Sequence, residues 1–210
     1  EMEKYFSQRS HELIMASVRA LGATQDANLF NNLFPYLFLE LDADVSALIF
    51  SVLSQSMQHY KTDAIKIIAN DNLHEKRVIL DLAVKSTATD DFFKAEITEN
   101  ILSSTINHIE DATSTSRESM ELQLDAMRVI KNMKWTRSSL LMTTYFTSAQ
   151  AQYAASQISR EELIEIIECL AALATNETGK ALTEYLGILN DKTEKSGTFD
   201  EVLLLSVIQS

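Results

Sequence analysis

Four glycines and one proline in 210 residues leave this chain without the punctuation that a tight-turned sheet requires. Hairpins use residues that accept positive φ or hold φ near about −65°, and here they are almost absent. Helices joined by short polar loops remain, so the chain is expected to be all-α. Its length suffices to bury a core without disulfides or metal. An apolar share of 46% excludes a disordered chain. We expect one folded domain over 1–210, with an N-terminal helix over 1–24 and helix pairs from about residue 26 onward.

The single cysteine, Cys169, excludes an internal disulfide and any all-cysteine metal or CxxC redox site. A reducing compartment is its natural setting, and a cytoplasmic location is expected. No apolar run reaches the length of about eighteen residues that a membrane helix needs. The opening Glu1-Met2-Glu3-Lys4 is unlike a secretory leader. A formal charge of −12 argues against the whole surface binding nucleic acid and leaves a local patch open.

Apolar spacing places the helices. Tyr5, Phe6, Leu13, Ile14, Ala16, Val18 and Leu21 predict the first, with Gly22 as the left-handed residue that stops it. Leu29, Phe30, Leu33, Phe34, Leu37, Phe38 and Leu41 predict a second over about 26–40, with Leu33, Phe34, Leu37 and Phe38 in the core. Asp42-Ala43-Asp44 breaks the chain before a helix carrying Val45, Leu48, Ile49, Val52 and Leu53. A short extra helix holds Ile65, Ile67 and Ile68.

Further along, capping signals mark the starts. Asp71 or Asn72 precedes Glu75, while Thr115 with Glu118 and Ser159 with Glu162 have capping-box spacing. Glu75, Glu118 and Glu161 stand 43 residues apart. Each opens an apolar helix that is followed by a polar break and a second helix, over 89–110, 136–157 and 178–190. Counting back one more interval reaches Asn32, which would extend the period to four pairs.

Two helices per unit and a period in the forties are the signature of stacked helix-pair arrays. The run from Leu33-Phe34-Pro35 through Leu41-Asp42-Ala43-Asp44-Val45 resembles a HEAT unit, with proline in the first helix, Asp at the turn and Val opening the second. It departs from that pattern at Ser46, where a basic residue usually follows. The other three units lack the proline. The resemblance to HEAT and armadillo proteins implies an α-solenoid of stacked antiparallel helix pairs. An irregular multi-helix bundle is the alternative.

Signatures of catalysis are sparse. No glycines are spaced for GxGxxG or a P-loop, and GxSxG and HExxH are missing. His11, His59, His74 and His108 are scattered, so a metal site would need residues from different helices. His74 with Glu75, and His108 with Glu110 and Asp111, are the local groupings and are read as solvated helix-end residues. Asp90-Asp91-Phe92-Phe93-Lys94-Ala95-Glu96 resembles the acidic magnesium motif of terpene cyclases. Here the acids open a helix, where carboxylates favour the positive dipole end, and a structural role is expected. Cys169 lies among Glu161, Glu162, Glu165 and Glu168, neighbours that oppose a thiolate. No cofactor is expected.

The unusual feature is a basic stretch. From Ala126 to Arg160 the chain has no acid but carries Arg128, Lys131, Lys134 and Arg137 around Trp135. Steps of three turn a helix by about 60°, so Arg128, Lys131 and Lys134 form a slanting stripe near a helix C-terminus. Such cations oppose the helix dipole, or they form a basic and aromatic patch for an acidic partner, a phosphate or an RNA end. The helix that follows, rich in Ser, Thr, Ala and Gln, is either a central helix with bonded hydroxyls or the wall of a groove. These features together favour a non-enzymatic module that binds another protein. The alternatives are a helical-bundle enzyme or small-ligand binder with a site drawn from distant helices, and a nucleic-acid or other anion binder that uses Arg128, Lys131, Lys134, Trp135 and Arg137.

Overall fold

Where apolar spacing and a capping side chain coincide the chain is helical, and no strand occurs among the described residues. The structure is a computed structural model that describes residues 2–106, 114–197 and 200–209, with side chains from residue 8 onward. The helices are α1 (Met2–Thr24), α2 (Leu29–Leu33), α3 (Ala43–Ser56), α4 (Lys61–Ile68), α5 (Leu73–Lys85) and α6 (Asp91–Thr105). They continue with α7 (Arg117–Met133), α8 (Ser139–Ala154), α9 (Arg160–Ala171), α10 (Asn176–Ser196) and α11 (Glu201–Gln209). Short 3-10 segments span Phe34–Phe38 and Thr136–Ser138. The chain divides into two compact units, Glu1–Ile97 and Thr98–Ser210.

In the first unit α3 is the hub, packed by α1, α2, α5 and the Phe34–Phe38 segment. Val45, Ile49 and Leu53 form its buried stripe. Phe30 stacks on Phe34 with ring centres 5.1 Å apart, and Tyr60 closes the cluster by donating its hydroxyl to the Asp26 carbonyl at 2.7 Å. The expected single helix over 26–40 is instead α2 followed by 3-10 turns, because Pro35 carries no N–H to continue the α-helical pattern. Leu33 and Phe34 are buried as expected, whereas Leu37 and Phe38 are half-buried.

Gly22 does not stop α1, which continues to Thr24, and the left-handed residue is Gln25 at φ 47°. What Gly22 supplies is room. A Cβ there would lie 2.8 Å from Val52 Cγ1, so its missing side chain lets α1 sit close against α3. His11 fastens the same pair, its ring nitrogens 3.2 Å from Asp42 Oδ2 and 3.5 Å from Asp44 Oδ2.

The second unit is built on α9, packed by α7, α8, α10 and α11. Its Leu163, Ile166, Ile167 and Leu170 are buried in one core with Leu124, Met127 and Ile130 of α7 and Met142, Tyr145 and Phe146 of α8. Burying a Leu or Ile side chain stabilises by about 1.5–3 kcal/mol, so this contiguous core anchors the unit. The Ser- and Gln-rich α8 combines both expectations: Ser139, Ser148 and Gln152 are buried, while Gln150, Tyr153 and Ala154 line a cleft. Thr143, half-buried, and Thr144, exposed, donate their hydroxyls to the Leu140 carbonyl.

Side-chain caps open α5, α6, α7, α9 and α10, whereas α2, α3, α4 and α8 start without one. Asn72, the second of the two candidates, accepts the His74 and Glu75 N–H groups, and Asp90 accepts that of Phe93 at 2.7 Å. Ser159 and Glu162 form the expected reciprocal box. Ser116, one residue past Thr115, caps α7 through the Ser119 N–H. Thr175 caps α10, so that helix begins before the expected 178. Helix α11 was not anticipated from the spacing.

Candidate functional site

The acid-free stretch ends α7, and its cations find acids on another helix. Arg128 makes a fork to Glu165, Nε to Oε1 at 2.6 Å and a terminal nitrogen to Oε2 at 2.7 Å, and also donates to Asp125 at 2.7 Å. Lys131 Nζ lies 3.5 Å from Glu168 Oε2. At the start of the same helices Arg117 reaches Glu162 at 2.6 Å. Arg117, Arg128 and Lys131 of α7 therefore meet a row of carboxylates on α9, Glu162, Glu165 and Glu168, which recur every three residues along one helical stripe. The hydrogen bond from Arg117 holds the Glu162 carboxyl below its ordinary value, and that from Arg128 does the same for Glu165.

The five predicted patch residues are thus divided. Arg128 and Lys131 face α9, and Trp135 is half-buried against the core with Nε1 donating to Glu99 at 3.4 Å. Lys134, the left-handed residue that closes α7 at φ 49°, and Arg137 are exposed and have no ion-pair partner among the described residues. The acids that neutralise the stripe lie thirty-seven positions downstream, which is why an acid-free window in the sequence was a poor guide to surface charge.

Other sequence candidates are dispersed. His59 and His74 are exposed, and His74 stacks edge-on against Phe38 at 5.2 Å. His108, Glu110 and Asp111 lie outside the described residues. Cys169 is fully buried, and burial pushes its thiol up to about 11. Among the described residues no three His, Cys, Asp or Glu side chains converge as metal ligands, and no helix is long and apolar enough to cross a membrane.

The concave feature that sequence reading missed is a cleft of about 630 Å³ between α8, α10 and α11. On α10, Tyr185, Ile188, Leu189 and Lys192 line it at helical spacing, and Tyr153 of α8 with Asp200 and Leu204 of α11 complete its sides. Asp200 caps α11 through the Leu203 N–H at 3.1 Å and stands 3.6 Å from an Arg160 nitrogen. Burial, then the charge of Asp200, raise the pKa of Tyr153. The signal was present in the i, i+3, i+4, i+7 pattern of α10, but the facing residues come from helices whose packing the sequence does not state. No protein-family model, curated protein or solved structure matches this chain.

Proposed function

We propose that this chain is a non-enzymatic protein-binding module built from stacked helix pairs. The observation that carries the reading is the outer face of α11. Val202, Leu205 and Ile208 are 51%, 43% and 58% exposed, while Leu203 and Val207 on the opposite side are buried. Three large apolar side chains at successive turns of one helix form a stripe suited to the apolar face of a partner's helix.

Within the second unit α7 packs on α9 and α8 on α10, contacts that an array of stacked pairs would also make, although α8 packs most closely on α9 rather than on α7. A second reading, binding of an anionic partner or nucleic acid, rests on Lys134 and Arg137. Two cations provide few phosphate contacts, and their neighbours Arg128 and Lys131 already face carboxylates.

Capture of proteins from the native host by the wild type and by a Leu205→Lys, Ile208→Lys variant tests the proposal. We expect the variant to lose a partner while melting within a few degrees of the wild type. Equal capture by both proteins would remove α11 as the binding face.

A further inference from the structure

Beyond protein binding, the cleft between α8, α10 and α11 carries two groups that nothing in the fold uses. Tyr185 is 5% exposed, and its ring packs edge-on against Phe146 with centres 5.2 Å apart. Its hydroxyl makes no hydrogen bond to any described residue and, unlike the buried Ser148 hydroxyl, is open to the cleft. Burial, then the charges of Tyr153 and Asp200, push its pKa up to about 12.

Lys192 lies seven residues further along the same face of α10, exposed and with no acid paired to it among the described residues. At 1.5 Å per residue the two are about 10 Å apart along the helix axis. Between them the wall is apolar, formed by Ile188 and Leu189 with Leu204 opposite. The volume of about 630 Å³ is within the usual range for a small-molecule site.

From this arrangement we infer that the cleft binds a hydroxylated medium-chain carboxylate, with its carboxylate at Lys192, its apolar chain over Ile188, Leu189 and Leu204, and its hydroxyl at Tyr185. The polarity at each end selects the groups. At the Tyr185 end Asp200 is already paired with Arg160 at 3.6 Å and, among the described residues, leaves no unpaired cation for a second carboxylate, while a hydroxyl accepts from the Tyr185 phenol and remains a donor. Lys192 supplies the cation for the anionic end. A chain of about eight to ten carbons spans the separation.

Titration of the full chain with 10-hydroxydecanoate, decanoate and decanedioate, followed by calorimetry and ligand-observed NMR, tests the assignment. We expect 10-hydroxydecanoate to bind more tightly than decanoate by about fivefold, the worth of one hydrogen bond, and decanedioate to bind more weakly than either. Tyr185→Phe keeps the ring contact with Phe146 and should reduce 10-hydroxydecanoate to the affinity of decanoate, leaving decanoate itself unchanged. Lys192→Gln should weaken both by several-fold. Absence of binding by all three probes at millimolar concentration would overturn the inference. So would affinities that neither substitution changes. Because these substitutions leave Val202, Leu205 and Ile208 intact, partner capture by the same variants separates failure of this site from failure of the α11 interface.

Discussion

Replacing Gly22 by Ala puts two effects of opposite sign at one atom. In an exposed helix the change stabilises by about 1 kcal/mol, because alanine loses less backbone freedom than glycine. Here the new Cβ would stand 2.8 Å from Val52 Cγ1 and 3.1 Å from Cγ2. Val52 is β-branched and holds essentially one rotamer on a helix, so its methyls do not swing aside and α1 must shift instead. Overpacking of this kind costs about 1–3 kcal/mol. The net expectation is a loss of up to about 2 kcal/mol, or a few degrees in melting temperature for a chain of this size. A Val52→Ala background removes both obstructing methyls, and the same glycine substitution should then stabilise by up to about 1 kcal/mol. The assay is a urea or thermal melt of the wild type, the two single variants and the double variant, read as a double-mutant cycle. If Gly22→Ala changes stability equally in both backgrounds, the close approach to Val52 is not what requires glycine. A loss of about 1 kcal/mol in both would point to the left-handed cap suggested by spacing alone.

Two further expectations follow from the helix ends and the ion pairs. Ala174, exposed at φ 50° between α9 and α10, occupies a left-handed conformation that costs an L-residue about 1–2 kcal/mol. Ala174→Gly should therefore raise the urea midpoint, and an unchanged or lower midpoint would show that the strain is relieved elsewhere. Glu162 and Glu165 titrate below their ordinary range because Arg117 and Arg128 donate to them. Their stabilisation is thus fully present above the unfolded value of about 4.3 and is lost as pH falls through the lowered folded values. Arg128→Met with Arg117→Met should flatten the loss of stability between about pH 5 and pH 3, measured as urea midpoints. An equally steep acid limb in the variant would refute this origin.

Much of the helix order was legible because it depends on local chemistry. Ser159 with Glu162, Asn72 ahead of Glu75 and the acids at Asp90 and Asp91 act within a few residues, and each starts a helix as expected. The apolar run of Val45, Ile49 and Leu53 likewise shows its buried side through period alone. What failed depended on distant partners. Gly22 looked like a terminator because Val52 is thirty positions away, and Arg128 looked free because Glu165 lies on α9. Helix α11 was missed for a different reason. Its Val-Leu-Leu-Leu-Ser-Val-Ile run is apolar on almost every side, so no amphipathic pattern announces it. The cleft required three helices to converge, and Tyr185 and Lys192 could be placed on one face from spacing but not opposite Asp200 and Tyr153.

Glu162 serves two neighbours at once. Its Oε2 accepts the Ser159 N–H at 2.8 Å, and its Oε1 meets Arg117 at 2.6 Å. The rotational phase of α9 and its lateral position against α7 are therefore fixed by one side chain. Inserting a residue between Ser159 and Glu162 would bring Glu161 into the box, but every later side chain would turn by about 100°. Leu163, Ile166, Ile167 and Leu170 would then leave the core they share with α7 and α8. An insertion at the exposed Ala155, upstream of the box, lengthens only a connector and disturbs no such count. Length changes compatible with this fold should accordingly gather in the connectors and avoid the first turn of α9.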